Sequence, residues 1–246
     1  MTGRMVAVET LTAQQKQYFD DQGYLLLRNV IPHELCDRVN AYMWAARDGT
    51  RAVNYTSAAD GDNSINQSHE YEPLMMDLAR HPPVPQVLRS LLGFDAAICQ
   101  SLYMFRALKN PAHQDEFFLP PKPGPLVAAW MALQDVRVED GAMLVIPRSH
   151  LGPAILAQNI EGHWWEDDQV KEAYYDRITQ ICGDAQPTPI EMTKGDILFF
   201  HGRLIHTAVG KAESGRARLT YACHYHRADA VLDTSNNCLD LTSMRL

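Results

Sequence analysis

The sequence has no cluster of lysine and arginine, no long apolar run and no closely spaced cysteine pair, and each absence removes a class of function. Its formal net charge is -8, so its surface repels phosphate backbones and nucleic acid is not an expected partner. The longest apolar run near the start, Tyr24-Leu25-Leu26-Leu27, is cut by Arg28 and falls far short of a membrane span. No charged-then-apolar signal segment precedes it, so neither a membrane partner nor export is expected. The five cysteines, Cys36, Cys99, Cys182, Cys223 and Cys238, are odd in number, widely spread and free of any C-x-x-C pair. That excludes a zinc knuckle or disulfide frame and fits the reduced, buried thiols of a cytoplasmic protein.

What is present suits a folded core. A hydrophobic content of 46% is ordinary for a globular protein, and 246 residues suit one domain spanning 1–246. There is no internal repeat or low-complexity tract. Up to about residue 95 the pattern is mainly helical. Thr12 and Gln15 have capping-box spacing for a helix that stops at Gly23. A strand over 24–30 follows, then a helix that begins near Pro32 and ends at Asp48-Gly49. Residues 49–72 read as a long polar loop, and a short helix covers 84–92. From about 96 to 230 the texture changes to short strands separated by Pro/Gly punctuation. The expected strands cover 96–108, 126–133, 142–146, 188–192, 196–200, 204–209 and 216–226. Such spacing predicts a mainly β barrel or sandwich with flanking helices. An acidic, aromatic insertion at 151–187, containing Trp164-Trp165 and Tyr174-Tyr175, reads as partly helical.

The chemistry-bearing motif is His113-Gln114-Asp115. In extended backbone, side chains at i and i+2 share a face, so His113 and Asp115 project together and Gln114 turns away. A third metal ligand must come from a distant strand, and His206 is the candidate. It lies beyond the turn Lys194-Gly195-Asp196. Two imidazoles and one carboxylate on one face form the non-haem iron(II) facial triad, which leaves positions open for a co-substrate and O2. Arg218 opens the apolar stretch Arg218-Leu219-Thr220-Tyr221-Ala222, where a buried guanidinium demands an anionic partner. Arg216, beside Ser214-Gly215, reads as a solvated turn residue. His150, His201, His224 and His226 read as structural or as supports for the ligands.

These residues, together with Phe117-Phe118-Leu119-Pro120, Ala129-Trp130-Met131, Glu139-Asp140-Gly141 and Ile146-Pro147-Arg148-Ser149-His150, stand in an order that resembles the phytanoyl-CoA dioxygenase family of Fe(II)/2-oxoglutarate oxygenases. So do Gly195-Asp196-Ile197-Leu198-Phe199-Phe200-His201 and Cys223-His224-Tyr225. The resemblance implies a double-stranded β-helix (jelly-roll, cupin-like) core with flanking helices, and Fe(II), 2-oxoglutarate and O2 as cofactor and co-substrates. It also implies iron on His113, Asp115 and His206, and the far carboxylate of 2-oxoglutarate on Arg218. Trp130 and Gln114 are then expected near that site, and Gln100 in contact with 2-oxoglutarate or substrate. One departure stands out. Family members often carry a hydroxyl two residues after the distal histidine, where this sequence has Ala208; Thr207 or Thr220 is the expected substitute.

The reaction so implied is oxidation of a substrate C–H bond with release of succinate and CO2. Asp115 occupies the position a halogenase leaves vacant for halide, which favours hydroxylation, desaturation or ring formation. The substrate should be a small molecule, with 49–72 and 151–187 as candidate lids and Phe117, Phe118 and Trp164 as candidate pocket residues. The acidic balance disfavours a polyanionic coenzyme A thioester and suits a secondary metabolite, an amino-acid derivative or a cation. Two alternatives stay open: a zinc or manganese hydrolase or isomerase with the same three ligands, and a non-catalytic metal-binding jelly roll. The first would not need Arg218, and the second would bind metal without consuming O2. The sequence leaves the oligomeric state open.

Overall fold

In the computed structural model of the chain, residues 10–50, 56–57, 64–107, 110–155, 167–208, 217–233 and 243–246 are described. Seven α-helices are found among them: α1 (Ala13–Gln22), α2 (His33–Arg47), α3 (Ser68–Tyr71), α4 (Pro73–Ala79), α5 (Pro83–Leu92), α6 (Asp115–Phe118) and α7 (Asp168–Cys182). The strands begin with β1 (Tyr24–Leu27), β2 (Thr56–Ser57), β3 (Ser64–Asn66), β4 (Ala96–Met104) and β5 (Asn110–His113). They continue with β6 (Pro121–Lys122), β7 (Val127–Ala132), β8 (Met143–Val145), β9 (Thr188–Ile190) and β10 (Ile197–His201). The last are β11 (His206–Ala208), β12 (Thr220–Arg227), β13 (Val231–Leu232) and β14 (Met244–Arg245).

Thr12 caps α1 as its spacing predicts: its hydroxyl accepts from the Gln15 backbone, and the Gln15 side chain accepts from the Thr12 backbone. Gly23 ends α1 with φ of +84°, and a Cβ there would lie 2.4 Å from Nδ1 of His150. Both the turn and the close approach therefore require glycine. The Lys194-Gly195-Asp196 turn is fixed by the fully buried Asp196 carboxylate, which accepts from the backbones of Asn29 and Thr193 and from Arg28. That anchorage sets β10 beside β1.

Strands β1-β10-β7-β12-β4-β3-β2 form one antiparallel sheet, with β14 also on β4; β5-β11-β8-β9 form a second sheet. A third pair, β13-β6, stands apart. One face of the large sheet, carrying Phe199, Tyr221, Cys223 and Tyr225, is buried under the helices against residues such as Val39, Met43, Leu78 and Leu88. The opposite face, carrying Trp130, Leu198, Phe200 and Ala222, meets Met143 and Val145 of the small sheet. This is the jelly-roll arrangement, two antiparallel sheets with helices outside. On β12 the alternation is clean. On β4 it is interrupted: His224 pairs with Gln100 but Tyr225 pairs with Ile98, so Cys99 is an extra residue in a β-bulge.

Several expectations need correction. The stretch 49–72 is not one loop, because its described part contains β2, β3 and α3, and β3 extends the large sheet. Helix α4 lies where no helix was expected; Pro73 at its first turn is the start signal. The β region also continues past residue 230, since β14 returns to pair with β4. The insertion contributes α7, while 156–166, with Trp164 and Trp165, lies outside the described residues, as do Arg216 and Cys238. Cys36, Cys99, Cys182 and Cys223 are free thiols. No helix among the described residues is long and apolar enough to cross a membrane.

Candidate metal centre and anion site

Strand β5 ends at His113, and His206 opens β11 directly opposite it in register. Pairing across two neighbouring strands brings the rings to 4.3 Å between centroids. Gln114 continues in extended backbone (φ -111°, ψ 126°), so Asp115 returns to the face of His113. The strand reading of this motif holds for one residue only, because Asp115 is already the first residue of α6. Oδ1 of Asp115 lies 3.2 Å from Nε2 of His113 and 3.6 Å from Nε2 of His206. The three ligand atoms all lie within 4.8 Å of one another, and all three residues are buried.

Each ligand is held from behind. Nδ1 of His113 donates to the Pro111 carbonyl at 2.8 Å, and Nδ1 of His206 to the Leu204 carbonyl at 3.0 Å. Both bonds reach back two residues, and both leave Nε2 unprotonated and facing the gap. The far oxygen of Asp115, Oδ2, accepts from Nε2 of His224 at 3.0 Å. That contact leaves Oδ1 as the oxygen free for a metal. Burial opposes ionisation of Asp115, but the neighbouring His206 and His224 hold its carboxyl well below the usual range. Burial is the main cause that takes His206 down to about 4, against the opposing pull of Asp115, whereas for His113 burial is outweighed by the hydrogen bond and charge of Asp115 together with the Pro111 carbonyl, which raise it. The donor set therefore fits a divalent ion: two imidazole nitrogens and one ionised carboxylate, with the remaining directions open.

These ligands line one end of a cavity of about 450 Å³ between the two sheets. Arg218 lies at the other end, two residues before β12, and only 2% of it is exposed. Its guanidinium donates to the Gly141 carbonyl at 2.8 Å and stacks over Trp130 at 5.4 Å, with weaker contacts to Met104 Sδ and the Arg106 carbonyl. No carboxylate among the described residues pairs with it, and its Nε has no hydrogen-bond partner. Burial lowers its pKa to about 10, which leaves it charged at neutral pH. A buried guanidinium in a cavity wall, unpaired by any carboxylate among the described residues, has the chemistry to receive an anion.

The alternation of β12 places Thr220 on the face of Arg218, Ala222 and His224. Its hydroxyl is buried with no partner. The Thr207 hydroxyl, the other expected substitute, is already engaged: it donates to the Asn110 carbonyl at 2.7 Å. Trp130 and Gln100 line the cavity. Gln114 does not: its amide donates to the Arg203 carbonyl and accepts from Ile155, and its backbone N–H donates to the Tyr174 hydroxyl. The i, i+2 alternation that projects its neighbours inward turns Gln114 outward, so it braces the ligand loop instead of touching a co-substrate. Phe118 lines the cavity, while Phe117 packs against Tyr174 outside it. His150, His201 and His226 are tied to Asp20, Arg203, and Arg227 with Ser243. Asn110, Met104 and Met143 also line the cavity, and sequence reading did not single them out. The period-two pattern running from Gln100 through Leu102 to Met104 was the available signal.

The family model for phytanoyl-CoA dioxygenase (PhyH) matches residues 19–218, a span that includes the two histidines, Asp115 and Arg218. The chain belongs to the phytanoyl-CoA dioxygenase family. It is therefore an Fe(II)/2-oxoglutarate-dependent oxygenase, an oxidoreductase using O2 as co-substrate. A probable phytanoyl-CoA dioxygenase of Caenorhabditis elegans is 25% identical, covering 89% of this chain and 76% of that one. The peroxisomal phytanoyl-CoA dioxygenase of Homo sapiens is 23% identical over 89% and 69%. Among solved structures, the α-ketoglutarate-dependent carbocyclase SnoK from nogalamycin biosynthesis superposes with a TM-score of 0.72 at 23% identity, covering 94% of this chain and 90% of that chain. EctD from S. alaskensis, solved with 2-oxoglutarate and 5-hydroxyectoine, gives 0.71 at 18% identity over 94% and 82%. These structures share the jelly-roll fold of the family.

Proposed function

We propose that this oxygenase hydroxylates a C–H bond of a small molecule, one O2 and one 2-oxoglutarate being consumed for each alcohol, succinate and CO2 formed. The observation that carries the reading is Arg218, a guanidinium sealed in the cavity wall opposite the ligand triad with no carboxylate of the described residues beside it. A zinc or manganese hydrolase has no use for such a group. In this reading His113, Asp115 and His206 hold iron through Nε2, Oδ1 and Nε2. When bound, the metal supplies oxygen activation coupled to decarboxylation of the co-substrate. Arg218 then pairs with the far carboxylate of 2-oxoglutarate through its planar fork, and Thr220 donates the hydroxyl that Ala208 lacks. Trp130 fixes the plane of the guanidinium. Asp115 supports hydroxylation over halogenation, because it fills the position a halide would take. The free thiols agree with a reducing compartment such as the cytoplasm.

The test is direct. Anaerobic addition of Fe(II) and 2-oxoglutarate should produce the visible charge-transfer band of the chelate. Admission of O2 with a turned-over substrate should release succinate and a product heavier by one oxygen atom. Failure to form the band, or a halogenated product, would sink the assignment.

A further inference from the structure

Once the metal and co-substrate take their partners, the described lining of the cavity has no charge left to offer. His113, Asp115 and His206 face the metal position, His224 is bonded to Asp115, and Arg218 faces the co-substrate. The rest of the described lining is neutral: aliphatic or thioether at Leu102, Met104 and Met143, aromatic at Phe118 and Phe200. Two amides interrupt it. Gln100, on β4, has no hydrogen-bond partner for its side chain among the described residues and stands across the ladder from His224. Asn110, at the cavity mouth, places its amide nitrogen 3.3 Å from Nε2 of His113, beside the metal position. When Nε2 is ligated, that amide loses its partner and is free to donate into the cavity.

On these observations, and resting on the 2-oxoglutarate reading above, we infer that the substrate is an uncharged, mainly carbocyclic or aliphatic small molecule whose carbonyl or hydroxyl oxygen is held by Gln100 and Asn110. A carboxylate, phosphate or ammonium entering this cavity would give up hydration with no opposite charge in the described lining to receive it. An amide donor, by contrast, matches a neutral oxygen at little desolvation cost. Size agrees. About 450 Å³ shared with a co-substrate stands at the low end of small-molecule sites, which span roughly 300–1,000 Å³. Leu102, Met104 and Met143 give a wall that adapts to ring systems of different outline. The cation suggested by the acidic composition finds no free acidic group here: the net charge of -8 is spread over a surface that the described cavity does not share.

A matched probe series tests this on the protein loaded with Zn(II), as a redox-inert stand-in, and 2-oxoglutarate. Isothermal titration with 2-acetylnaphthalene, 2-naphthoate and 2-naphthylmethylammonium holds the ring system constant and changes only the charge. The ketone should bind at least about tenfold more tightly than either ion. Gln100→Leu should narrow that gap by weakening the ketone about fivefold or more, with the thermal melting temperature as the check that the variant is folded. Equal or tighter binding of either ion, or no binding of the ketone, would overturn the inference. The Fe(II)/2-oxoglutarate visible band, recorded with no probe present, reports separately on the underlying reading. A normal band with charge-preferring binding therefore rejects the substrate class alone, and a missing band rejects the co-substrate assignment.

Discussion

The two ends of the cavity are built on opposite plans. At the metal end every ligand has a second contact that fixes it: Pro111 behind His113, Leu204 behind His206, His224 behind Asp115. At the guanidinium end, polar atoms are buried without partners, among them Nε of Arg218 and the hydroxyl of Thr220. The first arrangement is stable before anything binds. The second is destabilising until an anion arrives, since an unsatisfied buried donor costs about 1–3 kcal/mol and an unpaired buried charge more. The difference teaches that one end is preorganised before anything binds, whereas the other stores a cost that, on the proposed reading, a dicarboxylate would relieve.

The largest effect expected is a paired one. Asp115→Ala should bring succinate formation to background and also lower the melting temperature of the metal-free protein, because His224 loses its acceptor. Arg218→Met should raise the 2-oxoglutarate half-saturation about a hundredfold yet raise the melting temperature of the ligand-free protein. If both variants lower the melting temperature alike, the contrast between the ends fails. Next in size, His224→Phe should weaken Co(II) binding about 10- to 100-fold by releasing Oδ2 of Asp115. Titration of Co(II) absorbance reads this, and unchanged affinity would mean that Asp115 holds itself in place. Thr220→Val should raise the 2-oxoglutarate half-saturation about tenfold, with Thr220→Ser restoring most of it and the ligand-free protein no less stable. Calorimetry with 2-oxoglutarate separates the three versions. The smallest effect is the pH dependence of metal uptake. His113 holds its proton more tightly than an ordinary histidine and must release it to bind through Nε2. Co(II) affinity should therefore fall as pH is lowered through that raised range, by at most about tenfold per pH unit. A flat profile would show that His113 does not gate uptake.

Much of this contrast was legible in the sequence where the cause is local. The Thr12 capping box, the stop at Gly23 and the Gly195-Asp196 turn are short-range events, and each stands where the residues predict. The His113/Asp115 face was legible for the same reason, since it needs only one extended residue between them. Arg218 could be singled out because a cation in an apolar stretch is conspicuous. What could not be read depends on contacts made far along the chain. Gln114 looked like a pocket residue until Arg203 and Ile155 were seen to hold its amide. The choice between Thr207 and Thr220 turned on the Asn110 carbonyl, which claims one hydroxyl and leaves the other free. His224 reaches Asp115 across 109 residues of sequence. Helix α4 has Pro73 at its first turn as its one local signal and no side-chain cap.

The bulge at Cys99 has a consequence for how such a site changes over evolutionary time. Before it in space, Gln100, Leu102 and Met104 look into the cavity; beyond it, Ile98 and Ala96 belong to the helix-covered core. One unpaired residue thus reverses the phase of β4 and sets the depth of the chamber. Sliding the bulge by two positions would add or remove one whole side chain from the floor and re-pair only the few β12 residues opposite it, leaving the pairing of β12 with β7 and the triad untouched. Chamber length is therefore adjustable in discrete steps, by moving a defect along a strand and without rebuilding the iron site.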